Sequence, residues 1–162
     1  MSTALVWFRR DLRLTDHPAL YYATLAHERV IPIYIHAPQE ETPWAPGAAS
    51  REWLHHSLAA LDAAMRRHGS RLIVRQGDSL AALRELIRET GATAVYWNRL
   101  YEPATIARDR TVKSALHKDG IIAESRQAAL LIEPWTLLKA DTTPYQVFTP
   151  FWKACLLKLP PA

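Results

Sequence analysis

Residues Ala4–Leu20 read ALVWFRRDLRLTDHPAL, and the rest of the chain is laid out around them. Ala4–Phe8 is a short apolar run, the pattern of a strand buried on both faces. A charged block of Arg9, Arg10, Asp11 and Arg13 ends it. Thr15-Asp16-His17-Pro18 then reads as a helix start, with Asp16 as the N-cap and Pro18 in the first turn. A hydrophobic strand thus feeds a helix through a charge-rich loop, and in open α/β sheets ligands bind beyond the carboxyl ends of such strands. Here arginines replace glycines. Neither G-x-G-x-x-G nor G-x-x-x-x-G-K-[ST] occurs, so a standard dinucleotide fingerprint and a P-loop are both absent. From spacing alone the arginines read equally as ligand contacts and as loop residues that are solvated or paired with carboxylates.

Working outward, strands and helices alternate. A helix is expected over His17–Ala26 and a strand over Val30–His36. Pro32 belongs near that strand's start or where its nitrogen has no ladder partner. Ala37–Ala49 is a proline-rich loop. Ser50–His68 carries Trp53, Leu54, Leu58, Leu61 and Met65 at helical spacing, and Gly69 ends it. A strand at Arg71–Gln76, a helix at Leu80–Glu89, a strand at Thr93–Trp97, a helix at Pro103–Asp119 and a strand at Ile121–Glu124 complete the pattern. The expected fold class is α/β: a doubly wound, five-stranded parallel sheet, Rossmann-like, of order 3-2-1-4-5, with helices on both faces. Residues 1–130 form this domain. Residues 131–162 read as a linker segment: Leu130–Ile132 would add a small strand or pack against the sheet, Thr136–Tyr145 is turn-like, and an apolar helix follows Pro150, within Val147–Leu159.

Composition sets bounds. One domain of 162 residues has room for a core. The net charge is +4, from 20 Lys and Arg against 16 Asp and Glu. That permits contact with nucleic acid without arguing for it, since no single segment concentrates the charge. Cys155 is the only cysteine, so an internal disulfide and a zinc site built on cysteines are excluded. No histidine shows metal-ligand spacing, and no metal is expected. No apolar run is long enough to span a membrane, and no signal-peptide core follows Met1. A cytoplasmic soluble domain is expected. No nucleophile elbow is present, and Glu40-Glu41 show no reason for catalytic work. Of six tryptophans, most are expected in the core. Trp44, in the proline-rich loop, is the one expected to stack on a ligand.

A second constellation follows the fourth strand: Trp97-Asn98-Arg99-Leu100-Tyr101-Glu102-Pro103. Strands one and four flank the switch point, so this loop faces Arg9–Arg13 across the crevice. Asn98 offers an amide, Tyr101 a stacking face and Glu102 a carboxylate. Glu102 reads equally as a helix-start acid paired with Arg10 or Arg108.

WFRRDLRLTDHPAL, WLHHSLAALDAAMRRHGSRL, AVYWNRLYEPATIARDRTVKSAL and PYQVFTPFWKACL, in this order, resemble the amino-terminal region of the DNA photolyase/cryptochrome family. YQVFTPFW resembles photolyases more than plant-type cryptochromes. The resemblance implies an antenna-chromophore domain. FAD, the lesion pocket and the lyase chemistry on pyrimidine dimers in damaged DNA would belong to a helical domain outside this chain, so the chain alone is expected to be inactive. Candidate antenna contacts are Arg9, Arg10, Asp11, His36, Trp44, Asn98, Tyr101, Glu102 and Arg108. Folate-binding members carry a His in the second loop and an Asn-Glu pair after Tyr-Glu. Here that loop has no His and the pair reads Ala104-Thr105. Deazaflavin-binding members carry an Asp where Leu100 stands. A flavin or deazaflavin is favoured over methenyltetrahydrofolate. The expected partners are the FAD-binding helical domain, damaged DNA through that domain, and other copies of the chain through residues 147–159. The alternatives are a cryptochrome-type blue-light photoreceptor fragment and a free-standing nucleotide-binding or interaction module.

Overall fold

A computed structural model describes residues 2–43 and 45–159. The chain divides into two compact units, residues 1–128 and 129–162.

The first unit is the five-stranded parallel sheet that the alternation predicts, in the order β3-β2-β1-β4-β5. The strands are β1 (Thr3–Phe8), β2 (Arg29–His36), β3 (Ile73–Gln76), β4 (Ala94–Asn98) and β5 (Ile122–Arg126). The helices between them are α1 (Pro18–Ala26), α2 (Ala48–Arg66), α3 (Ser79–Thr90) and α4 (Pro103–Lys118). β1 is central and wholly buried, which is why its sequence is apolar without alternation. Its two faces feed two cores. Leu5 and Trp7 join Leu83 and Leu86 of α3 and Val112 and Leu116 of α4. Ala4, Val6 and Phe8 join Ala19 and Ala23 of α1 and Leu61 and Met65 of α2. Fully burying each large side chain here is worth roughly 1.5–3 kcal/mol. Pro32 comes one residue before β3 joins the sheet at Ile33–Ile73.

Three expectations are corrected. Asp16 does not cap α1; it is exposed with a positive φ of 48°. The cap is His17, whose Nδ1 accepts from the Leu20 amide at 3.1 Å. Its imidazole is buried against Phe8, where the core holds it over the first turn. Trp53 is not a core residue of α2, being 78% exposed. Nor are most tryptophans core: Trp7 and Trp97 are buried, whereas Trp53, Trp135 and Trp152 are exposed. α2 also starts two residues earlier than expected and closes through Gly69 (φ 72°), with the Ser70 amide on the Met65 carbonyl.

The second unit holds a short 3₁₀ turn (Pro134–Thr136) and α5 (Phe148–Lys158). Leu130–Ile132 forms bends, not a strand. Pro150 sits in the first turn of α5, where its missing N–H costs no helix hydrogen bond. Phe148, Leu156 and Leu157 are exposed. Among the described residues no helix is long and apolar enough to cross a membrane.

Candidate functional site: a cavity at the strand ends

A cavity of about 760 Å³ opens at the carboxyl ends of β1 and β2, bounded by α2 and the N-terminal half of α4. Four expected residues line it: Arg9, Arg10, His36 and Arg108. Asp11, Asn98, Tyr101 and Glu102 are not among its lining residues. Trp44 lies outside the described residues. The wall also includes Trp7, Tyr34, Leu54 and Leu61, and the exposed Trp53 stands among its lining residues.

The floor is built from β1 and α4. Arg9, the residue just after β1, turns to the side of Trp7. The guanidiniums of Arg9 and Arg108 lie 5.1 and 5.0 Å from the Trp7 ring centroid, a cation–π arrangement. Asp109 holds both arginines. One of its oxygens meets Arg9 Nη1 at 2.6 Å; the other accepts from Arg108 Nε and Nη2 at 3.0 and 2.9 Å. Arg9 also donates to the Asn98 carbonyl. Burial pushes the Arg9 pKa down, and the attraction of Asp109 only partly offsets it. Arg108 is near Glu40 as well, at 3.7 Å. Glu40 in turn accepts from the Ser79 amide and hydroxyl, both at 2.6 Å, so it ties the 3₁₀ turn Pro38–Glu41 to the start of α3.

Among the described residues, two buried donors of these side chains have no partner: Trp7 Nε1 and Arg9 Nε. Buried donors without acceptors are costly.

Arg10 has different company. It pairs with Glu102 and, at 3.1 Å, with Glu41, with half its side chain exposed. Burial would lower its pKa, but Glu41 and Glu102 outweigh this and raise it. Glu102 is lowered, its own partial burial being outweighed by its backbone amide and Arg10.

Asp11 and Asn98 form a clasp beneath the strand ends. Asp11 accepts from the Arg9 amide at 2.9 Å, from Asn98 Nδ2 at 2.6 Å and from His17 Nε2 at 2.9 Å. Asn98 Oδ1 accepts from the Ala19 amide at 3.0 Å. Burial would raise the Asp11 pKa, but the hydrogen bonds from His17, the Arg9 amide and Asn98 bring it down to about 2. The clasp joins the β1 loop, the start of α1 and the end of β4.

Sequence reasoning missed Asp109, Glu40, Trp7 and Trp53. Asp109 lies between Arg108 and Arg110, and an acid among arginines after the fourth strand was a readable signal. The role of Glu40 depends on a loop conformation that spacing does not encode. Trp53 was hidden by its match to the apolar face of α2.

An open doubly wound sheet with a lined cavity at its strand ends has the architecture in which α/β domains place their ligand sites. A family model described as DNA photolyase matches residues 4–162. The chain belongs to the DNA photolyase family. It is 45% identical, over 94% of its length, to a deoxyribodipyrimidine photo-lyase of Agrobacterium fabrum, of which it covers 31%. It is 42% identical, again over 94%, to cryptochrome-1 of Arabidopsis thaliana, of which it covers 22%. Its fold matches the crystal structure of an archaeal photolyase from Sulfolobus tokodaii with two FAD molecules, at a TM-score of 0.80 and 30% identity. That match covers 93% of this chain and 34% of the other. The chain therefore spans about a third or less of these relatives, and matches the amino-terminal domain of photolyases.

Proposed function

We propose that this domain binds a light-harvesting antenna chromophore in the cavity at the strand ends, within a whole protein that repairs pyrimidine dimers in DNA. The carrying observation is the cavity itself: about 760 Å³ at the strand ends, lined by the aromatic Trp7, Tyr34 and Trp53 and by the cationic Arg9, Arg10 and Arg108. A flavin offers this cavity ring carbonyls for the half-exposed Arg10 guanidinium and a flat face for Trp53. The Sulfolobus tokodaii photolyase, a structure with two FAD molecules and the implication of a novel light-harvesting cofactor, supports a flavin in this role. Deazaflavin shares the carbonyls. Methenyltetrahydrofolate is disfavoured because Ala104 and Thr105 stand where folate-binding members have Asn and Glu, and Thr105 is buried against Glu102. Catalytic FAD and the lesion are assigned to a helical domain, and the exposed apolar face of α5 is assigned to docking that domain or, without it, a second copy. The Arabidopsis likeness makes a blue-light photoreceptor the second reading; dimer repair by the whole protein separates the two.

The test is titration of the protein with FAD, FMN, a deazaflavin and methenyltetrahydrofolate, followed by chromophore fluorescence. Flavin binding weakened at least tenfold by Trp53→Ala is expected. Tight folate binding would overturn the ligand choice. Flavin binding indifferent to Trp53→Ala and Arg10→Ala would overturn the site.

A further inference from the structure

Within residues 110–118, RTVKSALHK, helical spacing brings the basic side chains to one face. On α4, Arg110, Lys113, Ser114, His117 and Lys118 line one shallow surface groove. They recur at helical spacing, on the side away from the buried Val112 and Leu116. The groove holds no carboxylate. The adjacent acid, Asp119, is already bound to Arg84 at 2.7 Å. Lys118 and His117 stand in the last turn, where cations complement the helix dipole. Arg110 and Lys113 lie further back, beyond the dipole's reach, so helix stability does not account for them. The groove starts two residues after the cavity-lining Arg108 and runs to the other end of α4.

We infer that this stripe docks the phosphate backbone of nucleic acid, independently of any chromophore. Eight residues of helix carry Arg110 to Lys118 over about 12 Å. At about 3.4 Å of duplex axis per phosphate on one strand, that span faces three or four phosphates. Three permanent cations and the Ser114 hydroxyl suit those oxygens and read no bases, so the contact is independent of sequence.

The experiment is fluorescence anisotropy of a labelled, undamaged duplex with the full chain, between 50 and 200 mM salt. The triple variant Arg110→Gln/Lys113→Gln/Lys118→Gln is expected to bind more weakly. Its plot of log K against log salt should be shallower by about 2.7, at about 0.9 per phosphate contact. Over this fourfold salt range wild type then loses about 40-fold more affinity than the variant. A control, Arg29→Gln/Arg67→Gln/Arg71→Gln, removes the same charge from other exposed positions and should keep the wild-type slope. An unchanged slope in the α4 variant, or an equal loss in the control, overturns the inference. So does binding to phosphatidylserine vesicles that depends on the stripe while duplex binding does not. The single variants Arg110→Gln and Lys113→Gln, each expected to lower the slope by about 0.9, serve should the triple variant fail to fold.

Discussion

Arg9 and Arg10 are neighbours in sequence and opposites in the structure. Arg9 turns under the sheet end, with its side chain 5% exposed, between Trp7, Asp109 and the Asn98 carbonyl. Arg10 turns outward, half exposed, to Glu41 and Glu102. Both follow the end of β1 at Phe8, and the bend there sends Arg9 under the strand ends and Arg10 toward the loops. The comparison teaches that charge alone says little about an arginine's role here. A buried cation has to be matched by the fold around it, whereas an exposed one exchanges water for carboxylates at little net gain.

The sharpest way to break this contrast is to take away the Arg9 partner. Asp109→Ala leaves the Arg9 guanidinium with one neutral acceptor and leaves Arg108 only Glu40, at 3.7 Å. Stability should fall by about 4 kcal/mol, the scale for breaking a buried pair, as measured by urea unfolding. A loss under 1 kcal/mol would mean that Arg9 finds water, and that the floor is not the matched site described above.

The Asp11 clasp comes next. Asp11→Ala removes one acceptor shared by the Arg9 amide, His17 and Asn98. Stranding those donors should cost about 3 kcal/mol. The same carboxylate makes a pH prediction. Its folded pKa of about 2 lies below the ordinary 3.8, so its stabilisation is fully present above about pH 4 and is lost as pH falls through about 2. The amount is about 2 kcal/mol. Unfolding curves of wild type should steepen with acid between pH 4 and 2, and those of Asp11→Asn should not. Parallel curves for the two proteins would sink this assignment.

The same contrast shows what was legible in the sequence. The sheet order was readable because apolar runs such as Ala4–Phe8 alternate with amphipathic helices, and hydrophobic periodicity is a local signal. His17 was not readable as the cap, because Asp16 is the better capping residue by type and only the packing against Phe8 decides between them. At the site, the arginines and the loop after β4 could be named from position. Their division into cavity wall, as with Arg9 and Arg108, and clasp, as with Asp11 and Asn98, depends on which oxygen each donor reaches. That is long-range information: Arg9 to Asp109 spans one hundred residues.

The smallest expected effect belongs to Arg10. Its two ion pairs are partly exposed, and such pairs are worth about 0–1 kcal/mol each. Arg10→Ala also leaves Glu41 and Glu102 facing each other, but both keep access to water. Unfolding free energy should change by less than about 1 kcal/mol at moderate salt, and by less still at 1 M salt, where screening shortens the reach of charges to about 3 Å. Arg10 nonetheless lines the cavity, so its loss should appear in ligand affinity and hardly at all in stability. That separation is the useful measurement. If Arg10→Ala unfolds the domain as readily as Asp109→Ala does, the two neighbouring arginines are not opposites, and both belong to the scaffold.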